Sequence, residues 1–321
     1  MQAFLVRQEP VRLGHLLLPR FSQLALSSSL EPFRLANTQL ERPAYEWMTL
    51  SVDGGPVEAS NGISNNVTAS IADTAILDML FVHASYEAER GMTGSVLAYI
   101  RRQARFGAII VGIETGCLAL ARAGILDGYQ ATCHWEDLDS MALMYPNILV
   151  KKDVFVFDRD RITVAGGAAA MDMAMTLIAA KHGPALATFM AEEFVLPGIR
   201  PADAPQRFAE THGAGSPNLT AAIAMMEKNL EAPLPIGALA RRVGISVREL
   251  ERLFRRWLET TPAAYYRDLR LRRARALLQQ TEQPITEIAL GNGFADAAHF
   301  SRAFKTLFGH PPSHERRIRT L

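Results

Sequence analysis

At 321 residues the chain is too long for one ordinary hydrophobic core and fits two domains. With 49% apolar and 21% charged residues it has the balance of a folded, soluble protein. No apolar stretch reaches the roughly 18 residues of a spanning helix, and the opening MQAFLVRQEP lacks the apolar core of a secretory leader, so no membrane partner and a cytoplasmic location are expected. The net charge of +1 hides a division. Residues 218–321 hold 17 Lys and Arg against 10 Asp and Glu, a net +7, while the remainder carries −6, so only the C-terminal part suits a polyanion.

Along the first 183 residues, strands and helices alternate. Apolar runs predict strands at Leu13–Leu18, Glu46–Val52, Ile76–His83, Ala108–Ile113, Asp153–Phe157 and Arg161–Ala165. Helical spacing fills 21–40, 93–105, 116–123, 136–144 and 168–182. Nearly continuous apolar strands between helices imply a parallel sheet covered on both faces, a doubly wound α/β domain over 1–195. Gly112-Ile113-Glu114-Thr115-Gly116 falls between an apolar strand and a helix, the layout G-x-nucleophile-x-G in which flanking glycines relieve crowding at a tight strand-to-helix turn. Its central residue is Glu114, placed at a helix start whose dipole should keep it ionised.

Cys117 and Cys133 are expected to be reduced packing residues. The eight His and two Cys are scattered without metal-ligand spacing, and GGP at Gly54 and AGG at Ala165 lack the phosphate-loop spacing, so no metal or cofactor is expected.

Residues 196–217, rich in Pro, Gly and Ala without sustained periodicity, read as a linker. Beyond Asn218 everything reads as helix. In residues 236–257, small Ala240 and the turn residue Gly244 are followed by Ser246 and Glu249, an S-x-x-E capping box. Leu250, Leu253, Phe254 and Trp257 then form the stripe expected to be buried, leaving Arg248, Glu251, Arg252 and Arg255 for a major groove. A helix opening at Pro262 after the N-cap Thr261 carries Tyr266, Leu269, Ala274, Leu277 and Leu278 on one stripe. Residues 285–309 repeat the first unit: Ala289 and Gly293 keep the spacing, Asp296 is the N-cap, and Phe300, Phe304 and Leu307 form the stripe. Ala297, His299, Ser301, Arg302 and Lys305 are left for DNA.

Leu234 to Arg317 resembles the AraC/XylS DNA-binding domain in I-x-x-I-A at Ile285–Ala289, G-F at Gly293–Phe294, H-F-S-R-x-F-K at His299–Lys305, F-G at Phe308–Gly309 and P-S at Pro312–Ser313. It departs at Glu315, where the family more often has Tyr, which touches the packing of the terminal helix. The resemblance implies seven helices over 218–321, with two recognition helices in successive major grooves of promoter DNA. It also implies RNA polymerase and a second copy of the chain as partners.

From EPFR at Glu31 through GIETG, AGILDGYQATCHWE and ITVAGG, the first domain resembles the class I glutamine amidotransferase-like, PfpI-like sensor of one AraC subfamily, with a flavodoxin-like fold. Enzymes of that superfamily carry Cys at the elbow. A carboxylate cannot replace that thiolate, so the covalent chemistry is not expected. Members with an acidic elbow include sensors of carnitine and betaine-like compounds, which implies a small cationic effector held by Glu114 and Thr115. His134, Trp135, Tyr86 and Phe33 are candidates for the surrounding wall.

The favoured reading is therefore an effector-dependent transcription regulator, most simply an activator. An amidase-like domain fused to a DNA-binding module, or a DNA-binding protein without an effector, are the alternatives. The segment 218–321 should bind duplex DNA with an affinity that falls steeply between low and moderate salt, because several Arg and Lys displace counterions. Filter binding across a salt series checks this, and a flat response would count against the DNA-reading assignment.

Overall fold

The computed structural model describes residues 2–206 and 216–315, with every side chain in those ranges except that of Gln280. The chain divides into two compact units between Ala204 and Pro205. The first begins with α1 (Gln2–Leu5), β1 (Val11–Leu17), α2 (Gln23–Leu40) and β2 (Tyr45–Ser51). Short strands β3 (Val57–Glu58), β4 (Ser64–Asn65) and β5 (Ala69–Ser70) follow, then β6 (Met79–Ala84), α3 (Gly94–Arg105), β7 (Ile109–Glu114) and α4 (Gly116–Arg122). The unit continues through β8 (Gln130–Ala131), α5 (Leu138–Met144), β9 (Leu149–Val150), β10 (Phe155–Asp158) and β11 (Arg161–Val164) to α6 (Ala169–His182) and α7 (Pro184–Glu193).

Seven strands form one sheet in the order β10-β11-β7-β6-β1-β2-β5. All neighbours are parallel except β10 and β11, an antiparallel hairpin at one edge. The run β2-β1-β6-β7-β11 is the flavodoxin-type order, so the fold expected from alternating apolar strands and helices is the one formed. Side chains alternate between two covered faces. Phe81, Val111 and Ile113 share a core with Phe33 of α2 and Met173 and Ile178 of α6, while Leu80, Val82 and Ile110 share one with Val96 and Ile100 of α3 and Leu120 of α4.

The structure adds elements that the spacing did not announce: α1, α7, the two-residue strands and the antiparallel edge. The run Ile76–His83 becomes regular only at Met79. Residues 196–204, read as the start of the linker, belong to the first unit. Leu196, Ile199, Ala202 and Ala204 pack on its core, and the Val154 N–H donates to the Ala202 carbonyl at 3.0 Å. Four apolar side chains spaced irregularly over nine residues give no periodicity to detect. Residues 207–215 of that linker lie outside the described residues.

The second unit holds α8 (Pro217–Lys228), α9 (Ile236–Arg242), α10 (Val247–Leu258), α11 (Pro262–Gln280), α12 (Ile285–Gly291) and α13 (Ala297–Phe308). Residues 312–315 are helical where the described residues end, and 316–321 of the expected DNA-binding segment lie beyond them. Thr261 caps α11 by accepting from the Ala264 N–H at 3.2 Å, directly before Pro262. The stripe on α11 serves two cores. Tyr266 and Leu269 complete that of α8–α10, whereas Leu271, Ala274, Leu277 and Leu278 complete that of α12 and α13. Burial of each leucine is worth about 2 kcal/mol, so one helix anchors both halves.

In the first unit, His15 on β1 and His83 on β6 are buried side by side, Nδ1 to Nε2 at 3.0 Å, with His15 stacked on Phe81 at 4.5 Å. Burial lowers the His15 pKa to about 3 and pushes that of His83 well below its ordinary value, with the neighbouring imidazole adding to the effect. Both rings stay neutral in the fold, while the unfolded chain takes up protons near pH 6.5. Stability contributed by the pair is therefore present above pH 6.5 and lost as the pH falls below it. Each ring should cost the fold up to ~1.4 kcal/mol per pH unit between 6.5 and 5. Urea midpoints of wild type and His15→Gln/His83→Gln at pH 7.5, 6 and 5 should show a steeper acid loss in wild type, and parallel curves would contradict it.

Candidate functional site

The turn from β7 into α4 is built by crowding. Gly112 lies so close to the start of α4 that a Cβ on it would meet the Cys117 Cα at 2.9 Å, and a Cβ on Gly116 would meet the Val82 carbonyl oxygen at 2.1 Å. The two flanking glycines are thus required by contact, as the G-x-x-x-G spacing implied. Between them Glu114 takes a left-handed conformation, φ +59°, which costs a non-glycine residue on the order of 1 kcal/mol or more. The strain fixes its side chain at the carboxyl edge of the sheet, where doubly wound folds place their ligands.

Around Glu114 the neighbouring strand ends converge. Ala84 of β6 pairs with Glu114, so Ser85 comes next to it and donates its hydroxyl to Glu114 Oε1 at 3.0 Å. Thr115 donates its hydroxyl back to the Ser85 carbonyl at 2.8 Å, tying the two strand ends together. On the other side, Gly166 follows β11 with φ +113°, and a Cβ there would lie 2.9 Å from the Glu114 Cβ and Cγ. Glu114 Oε2 is buried with no hydrogen-bond partner among the described residues. Burial raises the Glu114 pKa to about 7, the Ser85 hydroxyl opposing the shift and the charge of Glu136 adding to it. The expectation that the helix start keeps Glu114 ionised therefore fails near neutrality: α4 is a short helix, and desolvation outweighs it.

The segment 134–136 carries the Glu136 charge that adds to the rise in the Glu114 pKa. His134 lies 3.8 Å from the Glu136 carboxylate with its pKa lowered by burial, and Trp135 is half-buried with its ring 5.4 Å from that of His134. Tyr86 follows Ser85 and is 66% exposed, at the rim. Phe33 does not join them. It is fully buried beneath α2, 4.8 Å from the Tyr45 ring and 6.1 Å from Phe81, because its place on the inward face of an amphipathic helix makes it core. Ser85 and Gly166 were missed by motif reading. The signal for both was the strand register, since residues one step past neighbouring parallel strands must meet.

Cys117 does not substitute for an elbow thiol. It is buried inside α4, with Sγ 3.2 Å from the Gly112 carbonyl, and burial pushes its pKa up to about 12. Cys133 is also buried, with its pKa well above the ordinary value for the same reason. Neither sulfur can supply thiolate near neutral pH. A cavity of about 560 Å³ lies at the opposite, amino ends of the strands and is lined by Arg101, Arg102, Arg105 and Arg161 with Phe106, a setting that repels cations.

In the second unit each turn between paired helices uses a left-handed glycine, Gly244 at φ +77° and Gly293 at φ +71°, with Ala240 and Ala289 buried at the helix contact. Ser246 caps α10 through the Glu249 N–H at 3.1 Å, and Asp296 caps α13 through the His299 N–H at 2.7 Å. The reciprocal half of the expected capping box is replaced: Glu249 directs both carboxylate oxygens to Arg252 at 2.7 and 2.8 Å. The paired Arg252 guanidinium neutralises the Glu249 carboxylate. Arg248, Arg252 and Arg255 are exposed and Glu251 is half-exposed on α10. On α13, His299, Arg302 and Lys305 are exposed and Ala297 and Ser301 half-exposed.

Leu250, Leu253, Phe254, Phe300 and Phe304 are buried as expected, and Leu307 is half-buried. Trp257 is 41% exposed instead of buried, its ring 5.3 Å from the Arg256 guanidinium, because it falls on the last turn of α10 beyond the core of that unit. Glu315, where the resemblance departs, is buried but satisfied: Arg275 Nε and Gln279 Nε2 both donate to it at 2.7 Å, so α11 supplies the partners that an apolar ring would not need.

Comparison with known proteins places both units. Residues 28–180 match the DJ-1/PfpI family and residues 239–318 match a helix-turn-helix domain. The chain is 42% identical to the HTH-type transcriptional regulator CdhR of Pseudomonas aeruginosa, over 95% of this chain and 91% of that protein. It is 39% identical to the HTH-type transcriptional regulator GbdR of the same organism, over 98% and 86%, and 37% identical to the HTH-type transcriptional regulator GlxA of Rhizobium meliloti, over 95% of each. Among solved structures, an AraC family transcriptional regulator from Pseudomonas putida is 27% identical and superimposes with a TM-score of 0.53 over 58% of this chain and all of that one.

The elbow geometry sets a stability test. Gly116→Ala should cost at least about 1–3 kcal/mol, because backbone stands where the methyl must go. Gly94→Ala, at the start of α3 with open space around it, should be nearly neutral. Thermal denaturation of both variants checks the contrast, and equal melting temperatures would contradict the crowding.

Proposed function

The chain belongs to the AraC-type helix-turn-helix transcription regulators that carry a DJ-1/PfpI domain, and on that premise we propose that it responds to a small cationic metabolite held at Glu114. A quaternary ammonium such as a betaine or carnitine, or another amine, is the class that fits. The observation that carries this reading is Glu114 itself: a strained, largely buried carboxylate with one oxygen held by Ser85 and the other without a protein partner, at the edge where such folds bind ligands. A nearby cation would supply that partner and draw the proton off. Trp135 and Tyr86 offer ring faces to a quaternary ammonium, which cannot donate a hydrogen bond and is held by charge and by aromatic faces. His134 and Thr115 shape the site, Thr115 through its bond to Ser85.

Coupled to this, α10 and α13 read promoter DNA. Arg248, Arg252, Arg255, Arg302 and Lys305 meet phosphates and guanine edges, and Glu251, Ala297, His299 and Ser301 contact base edges and methyl groups. On the family resemblance we extend the proposal to a homodimer that activates transcription in the cytoplasm by contacting RNA polymerase. Among the described residues no helix is long and apolar enough to cross a membrane.

Protonation gives the sensor a pH signature. Its raised pKa means that ionising Glu114 in the free domain costs stability as the pH rises from about 4.5 through about 7. Cation binding requires the ionised form, so affinity should rise up to tenfold per pH unit below 7 and level off above it. Calorimetric titration with glycine betaine and with L-carnitine at pH 6, 7 and 8 should show this slope in wild type. Glu114→Gln should bind about 2 kcal/mol or more weakly with no slope, while keeping its affinity for DNA. Equal affinity in the two variants, or tight binding of anions only, would overturn the cationic reading and leave DNA recognition standing.

A further inference from the structure

Asp172 lies in the first turn of α6, 5% exposed, and its carboxylate is fully engaged by one residue. The Arg200 N–H donates to Oδ1 at 2.9 Å, Arg200 Nε to Oδ2 at 2.8 Å, and Nη2 approaches Oδ2 at 2.6 Å. Arg200 sits on the segment that leaves α7 and leads toward the DNA-reading unit. The same N-terminal end of α6 touches the elbow: the helix starts just after Gly166 and Gly167, and Gly166 is the backbone against which Glu114 packs. Only residues 167–171 separate that contact from Asp172.

We propose that the Asp172–Arg200 pair is the output latch of the sensor, passing occupancy at Glu114 through Gly166–Gly167 and the first turn of α6 to the segment that continues toward the DNA-binding helices. The proposal rests on Glu114 being the effector anchor. Its physical basis is that each step is short and stiff. A ligand that pulls or turns the Glu114 side chain acts on Gly166, where less than one methyl group of space exists. A packed helix moves as a body, because its contacts allow discrete arrangements rather than continuous deformation. The buried Asp172 carboxylate cannot be left alone without a large penalty, so a shift of α6 either carries Arg200 with it or exchanges its bonds. The segment is also held by apolar packing on the same core and by the Val154–Ala202 backbone bond, and the Val154 carbonyl in turn accepts from the Ala165 N–H at 2.8 Å, one residue before Gly166. Arg200 is the one polar tie between the segment and the helix that starts at the elbow, among the described residues.

The test uses the full-length chain with glycine betaine and L-carnitine as probes, hydrogen exchange of peptides covering 196–204, and affinity for a DNA site selected by the wild-type protein. Asp172→Asn and Arg200→Gln should bind the probe within about threefold of wild type, yet lose the probe-induced change in exchange and in DNA affinity. Arg200→Lys, which keeps the charge without the two-pronged geometry, should restore part of the response. Probe responses like those of wild type in both Asp172→Asn and Arg200→Gln would overturn the latch. If neither probe binds wild type, the effector reading fails by itself, and the latch is judged without ligand. Gly166→Ala, checked for folding by circular dichroism, must displace Glu114 and should raise exchange at 196–204, whereas unchanged exchange there would overturn the proposal.

Discussion

The whole sensor turns on one steric constraint, the lack of room between β7 and α4. A chain that leaves a buried strand and enters a helix within two residues must reverse direction where the neighbouring β6 backbone already stands. Gly116 can approach the Val82 carbonyl because it has no Cβ, and Gly112 can lie against Cys117 for the same reason. The residue between them is left in a left-handed conformation with its side chain pushed out at the sheet edge. In such a turn the backbone geometry is independent of which side chain occupies the tip. At the tip of this turn stands a carboxylate, so what the turn presents at the sheet edge is a charge.

Charge placed there is expensive, and the expense is informative. With its environment largely dry and a second carboxylate, Glu136, nearby, Glu114 is held near the midpoint of its titration at neutral pH. A group in that state responds strongly to a single added positive charge, which a fully solvated carboxylate would not. The buried histidine pair on β1 and β6 behaves in the opposite way. Two neutral rings bonded to each other in the core are held far from titration and act as polar packing.

In the DNA-reading unit the corresponding constraint is the single long helix α11. Its apolar residues divide between two small cores, neither of which would be large alone, so the two recognition helices are set in relation to each other by one rigid rod. Arg270 reinforces the second junction, donating to the Gly293 carbonyl at 2.8 Å while its guanidinium lies 4.6 Å from the Phe294 ring. The left-handed turn glycine, the ring and the cation thus form one joint.

The amino-acid sequence by itself determined most of the features that depend on short-range pattern. The alternation of apolar strands and helices, the N-caps Ser246, Thr261 and Asp296, the turn glycines Gly244 and Gly293, the elbow glycines and the burial stripes of α11 and α13 all follow from neighbours within about seven positions. Only the tertiary structure decided what depends on distant segments meeting: that Ser85 and Gly166 flank Glu114, that Phe33 belongs to the core, and that residues 196–204 fold back onto the sensor. Spacing along the chain records which face a side chain occupies, not which partner the opposing strand or helix brings to it. The protonation of Glu114 shows the difference most clearly. Local pattern placed a carboxylate at a helix start and predicted an ionised group, but the surrounding strand ends removed its water, and desolvation outweighed the dipole of a seven-residue helix.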